Sequence, residues 1–100
     1  MIHAVIRMTI PLKRRAEILE ILGSVAERCR FEAGCLSCRI YQDIELEAVV
    51  MMEQLWRDRE DLEHHLRSEE IRKLLLVMEM SLQAPEVQFN EISGTSGMET

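Results

Sequence analysis

Residues 49–76, VVMMEQLWRDREDLEHHLRSEEIRKLLL, hold strand, turn and helix signals in unbroken succession. The strand runs from Ala48 to Trp56, and its segment Val49-Val50-Met51-Met52 is apolar at both parities, as expected where both faces of a strand are covered. It ends at the only tryptophan, Trp56. Asp58 has N-cap chemistry, with Asp61 three residues on in the manner of a capping box, and helical character follows to Arg67. Ser68 before Glu69 and Glu70 is a second cap signal, so the segment divides into two helices. In the second, Ile71, Leu74, Leu75, Met78 and Leu82 keep helical spacing until Ala84-Pro85 stops it, because proline turns its predecessor away from helical ψ.

Towards the N-terminus, Ile2, Ala4, Ile6, Met8 and Ile10 share one face of a strand that Pro11 ends. A long helix is predicted from there to about Phe31, burying Ile18, Leu22, Val25 and Cys29. Lys13, Arg14 and Arg15 read as a solvated first turn, at the end where the helix dipole disfavours cations. Gly34 in Glu32-Ala33-Gly34 suits the positive φ of a helix end. A strand from Cys35 to about Asp43 and a hairpin through Glu47 lead back to Ala48. Towards the C-terminus, Glu86 to Ile92 alternates as a fourth strand, and the small polar residues from Ser93 onward form a flexible tail, 93–100.

The resulting order, β-α-β-β-α-α-β over residues 1–92, is an α+β, ferredoxin-like split βαβ arrangement in a single domain. It predicts a four-stranded antiparallel sheet with helices on one face only. The third strand is apolar on the open face as well, so a second copy of the chain is expected to cover it, giving a homodimer. At one hundred residues the chain can bury about two thirds of its unfolded surface, enough for one core.

Composition narrows the function classes. Net charge −6 argues against nucleic-acid binding, which needs cationic groups to displace counterions. No apolar run approaches the ~18 residues of a membrane span. Three cysteines, an odd number, do not make a disulfide framework, and with no secretory pattern at the N-terminus a cytoplasmic location is expected. Cys35 and Cys38, three apart in a strand, are expected to point to opposite faces and to be structural thiols. No second CxxC or HxxxH completes a zinc set, so no metal is expected. His65, three beyond Leu62, borders the buried stripe of its helix, while His64 turns outward. A histidine there can act as general base near neutral pH, or simply fill space. Trp56 is either a core residue or a ligand wall, and Arg39, Tyr41, Arg7 and His3 on the less apolar sheet parity line a pocket or, more naturally, a wet interface.

Glu32-Ala33-Gly34-Cys35 before the second strand, the strand ending in Trp56, and Asp61-Leu62-Glu63-His64-His65-Leu66-Arg67-Ser68 resemble the antibiotic biosynthesis monooxygenase-like (ABM) proteins, small dimeric α+β barrels. The resemblance implies oxidation of a small aromatic or quinol-like compound by O2 with no cofactor. In that reading His65 handles a proton and Trp56 lines the pocket, and Tyr41 and Arg39, from the polar sheet parity, are the further candidate substrate contacts. The alternatives are a non-catalytic small-molecule-binding dimer and an isomerase of a small carbonyl compound. Gln54 stands where the family often has glutamate, and Glu70 replaces a frequent second histidine. The haem-degrading branch has an axial histidine in the later helix and an asparagine in the first strand, and both are missing, which argues against haem.

Overall fold

The structure is a computed structural model that describes residues 1–94, 96 and 97. Residues 95 and 98–100, part of the tail expected to be flexible, lie outside the described residues. Strands β1 (Ile2–Thr9), β2 (Cys35–Gln42), β3 (Val49–Trp56) and β4 (Glu86–Glu91) form one antiparallel sheet in the order β2-β3-β1-β4. Helices α1 (Arg15–Cys29), α2 (Arg59–His65) and α3 (Glu69–Glu79) complete the chain in the order the sequence predicts. No helix among the described residues is long and apolar enough to cross a membrane.

Period-two patterning builds the core. Ile2, Ala4, Ile6 and Met8 of β1 are buried on the helix side, and Val50, Met52, Gln54 and Trp56 of β3 lie opposite them in register. Ile18, Leu22, Val25, Ala26 and Cys29 of α1 and Leu74 and Val77 of α3 cover that face. Ile2, Trp56 and Leu62 form a smaller cluster under α2. On the other face Val5, Arg7, Met51, Glu53 and Leu55 stay partly exposed.

Several elements differ from expectation. A short 3-10 turn, Leu12–Arg14, precedes α1, which ends at Cys29 and leaves Phe31 exposed. The basic first turn is paired, Arg14 with Glu17 and Arg15 with the Glu47 carbonyl (3.1 Å). Asp58 caps α2 by accepting from Asp61 N (3.0 Å), but Ser68 at the start of α3 leaves its hydroxyl without a partner.

The largest correction lies in β2. Cys35 pairs with Trp56, yet Ser37 pairs with Leu55, so Leu36 is an extra residue in a β-bulge. The bulge shifts the alternation by one. Leu36 is therefore exposed, and Cys35 and Cys38 both face the helices instead of opposite sides.

Candidate active site

Three residues converge where α1, β3 and α2 meet. Gln54 occupies the helix face of β3, two residues before Trp56, so both side chains emerge on the same side. His65, in the last turn of α2, reaches over the sheet and is buried to 1% exposure. Glu32 follows the end of α1, in the turn that Gly34 (φ 81°) closes, and its side chain retains 19% exposure.

The hydrogen bonds fix which atom does what. Trp56 Nε1–H is only a donor, and it donates to Gln54 Oε1 at 3.0 Å. The Gln54 amide nitrogen is therefore turned towards Met52 Sδ (3.3 Å) and His65 Nε2 (3.4 Å). Facing a donor, His65 Nε2 carries the lone pair, so the ring proton sits on Nδ1 and is donated to Glu32 Oε2 at 2.8 Å. The Trp56 ring packs on the imidazole with centroids 4.6 Å apart and planes tilted by 31°. Indole, amide, imidazole and carboxylate thus form one chain, in which a donor-only group at one end sets the tautomer near the other.

Thiols adjoin this chain. Cys29 Sγ lies 3.9 Å from His65 Nδ1. Hydrogen bonding with Cys38 and burial push the Cys29 thiol well above its ordinary value, whereas Cys38, which accepts that bond, is eased downward. Burial is the main cause that raises Cys35 to about 11.

Gln54 and His65 also form part of the wall of a cavity of about 260 Å³ between the sheet and α3. The rest of its lining is apolar: Ala4 and Ile6 from β1, Leu66, Ile71, Leu74, Leu75 and Met78 from the α2–α3 region, and Val87 and Phe89 from β4. Val87 and Phe89 are about half exposed, so the cavity opens along the β4 edge.

Of the expected site residues, His65 lies on this cavity. Trp56 is fully buried behind the imidazole and does not reach the wall. Arg39 and Tyr41 share the opposite sheet face, paired in register with Glu53 and Met51, so the sheet separates them from His65. There Glu53 accepts from His3 Nε2 (3.0 Å) and Tyr41 Oη (3.5 Å). Glu32 and Gln54 were not predicted as site residues. The signal for Gln54 was its parity with Trp56, but nothing in the spacing of Glu32 and His65, thirty-three residues apart, indicates that they meet.

The antiparallel sheet with helices on one face places the chain among the small ferredoxin-like α+β proteins. Its sequence matches the antibiotic biosynthesis monooxygenase family over residues 1–75, and the chain belongs to that family. Among solved structures, a Deinococcus radiodurans protein whose name places it among the antibiotic biosynthesis monooxygenases superposes with a TM-score of 0.90 at 14% identity, covering 100% of both chains. The Rv0793 protein of Mycobacterium tuberculosis gives 0.85 at 18% identity, covering 96% of this chain and 98% of its own. A conserved protein from Methanosarcina mazei Go1 gives 0.83 at 23% identity, covering 89% of each chain. At these identities the structures establish the fold. No curated protein matches the chain significantly.

Proposed function

We propose that the chain is a cofactor-independent monooxygenase that oxidises a small aromatic or quinol-like compound in the cavity between the sheet and α3. The observation that carries this reading is His65 at the edge of an otherwise apolar space, with Nδ1 2.8 Å from the Glu32 carboxylate and Nε2 facing the Gln54 amide nitrogen. His65 Nε2 accepts a proton from the substrate, and Glu32 stabilises the imidazolium that results. As Nε2 takes that proton it no longer accepts from Gln54, and the amide N–H so released donates to the substrate oxygen on which negative charge develops. The substrate anion supplies the electrons to O2, forming a carbon–oxygen bond. The imidazolium returns its proton to the peroxide, and loss of water from the resulting hydroperoxide leaves a carbonyl, so that one CH2, as in the keto form of a phenol, and one O2 give one C=O and one H2O. The apolar lining keeps water from the anion.

Residues 1–92 act as one unit in this reading, because β4 both pairs with β1 and walls the cavity. Arg39 and Tyr41, the other expected substrate contacts, belong to the open face, where a second copy of the chain would pack.

The test is substrate-dependent O2 uptake with a panel of one- and two-ring phenols and quinols. His65→Gln is expected to lower it by at least about 100-fold while the far-UV circular dichroism stays unchanged. Wild-type rates in that variant would remove His65 from the mechanism. Anaerobic exchange of a substrate C–H without O2 uptake by the wild type would make the protein an isomerase instead.

A further inference from the structure

Cys29, Glu32 and His65 bring three different ligand types together, with Sγ, a carboxylate oxygen and a ring nitrogen all within 4.8 Å of one another. We propose that these three side chains form a binding site for a borderline-soft divalent cation of the Zn2+ class. A thiolate and a carboxylate together neutralise the two charges of the ion, which makes its burial affordable, and the S, N, O donor set disfavours Mg2+ and Ca2+. Tetrahedral coordination places such ligand atoms about 3.3–3.5 Å apart. The observed 3.9 Å from Cys29 Sγ to His65 Nδ1 and 2.8 Å from Nδ1 to Glu32 Oε2 lie on either side of that spacing. Partly exposed Glu32 is the point of entry, and water completes the coordination there. No sequence motif indicated this set, because its donors come from the end of α1, the turn after it and the end of α2.

The protons balance as follows. Cys29 Sγ–H releases its proton to solvent, the Nδ1 proton of His65 moves to Nε2, and each nitrogen or sulfur lone pair so freed binds the ion. About one proton leaves per ion bound. The new Nε2–H then faces the Gln54 amide, another donor, so Gln54 opposes occupancy. A glutamate at that position would accept from both Nε2–H and Trp56 Nε1–H. Occupancy and the Glu32 hydrogen bond exclude each other, since both use Nδ1.

The experiment titrates the full chain with Zn2+ in buffers of different ionisation enthalpy, and records the optical spectrum with Co2+. The wild type is expected to bind one ion, release about one proton and show a thiolate-to-Co2+ charge-transfer band with intense tetrahedral d–d bands. Cys29→Ser should lose the charge-transfer band and more than about 100-fold in affinity, beyond the 10–100-fold carried by outer partners. Gln54→Glu should bind about tenfold or more tightly. Absence of Zn2+ binding in the wild type, a Co2+ complex without the thiolate band, or a band that survives in Cys29→Ser but not in Cys35→Ser would each overturn the proposal. The wild-type spectrum decides the matter even if a variant fails to fold.

Discussion

Gln54 decides the tautomer of His65, although it holds no charge and its own contact to the imidazole is long at 3.4 Å. Its influence comes from Trp56, which leaves the amide only one orientation. Glu32 acts from the other side. Glu32→Gln keeps an acceptor for Nδ1–H but removes the negative charge that, in the proposed mechanism, stabilises the imidazolium. We expect kcat to fall by about 10²-fold or more with KM nearly unchanged, measured by steady-state O2 uptake. A rise in KM at constant kcat would make Glu32 a binding residue instead. Cys35 offers a second test. Its raised value means that the folded state favours the thiol, so stability is complete below the unfolded value near 9 and falls as pH rises towards about 11. Denaturant titrations between those limits should show a shallower loss in Cys35→Ser than in the wild type, and an identical slope would reject the assignment.

At the scale of elements, the turn between α1 and β2 is the least forgiving place in the chain. Gly34 has φ 81°, and a Cβ there would fall 2.1 Å from Asp61 Oδ2 and 2.5 Å from Asp61 Cβ. Asp61 cannot simply swing aside, because Arg57 Nη2 holds its carboxylate at 2.9 Å. Gly34→Ala should therefore cost at least the ~1–3 kcal/mol of a strained backbone conformation, read from the midpoint of urea unfolding. A cost under ~0.5 kcal/mol would show that the turn relaxes. The same elements show what could be read in advance. Alternation along β1 and β3, Pro11 and Gly34 as punctuation, and the Asp58 cap are local signals, and they placed the strands and helices to within a few residues. The bulge at Leu36 was not legible, since an extra residue leaves no mark in an alternating sequence that is read without its partner strand. The expected side of Cys35 was lost with it. The Glu32–His65 contact was equally hidden, because it depends on how α1 and α2 approach across the sheet rather than on either helix alone.

For the whole molecule, the uncovered sheet face is the remaining question. Val5, Met51 and Leu55 are apolar and partly exposed there, interleaved with the His3–Glu53 and Tyr41–Glu53 contacts. A second copy packed on this face is the expectation that the third strand raised, and its polar component suits an interface that keeps some water. Val5→Glu or Leu55→Glu should shift the chain from dimer to monomer in sedimentation equilibrium. A wild type that sediments as a monomer at micromolar concentration would place the apolar residues in some other role.

The cavity draws its walls from two parts of the chain. Gln54 and His65, with Glu32 behind the imidazole, lie within the 1–75 span that matches the family, whereas Met78, Val87 and Phe89 lie beyond it. The latter two belong to an edge strand with a single neighbour, where side chains can change without disturbing the core. In the proposed reading, proton handling and ligand choice are therefore written in separable text. Grafting a foreign segment 76–92 onto this chain is expected to alter which molecules it admits while leaving Glu32, Gln54 and His65 untouched.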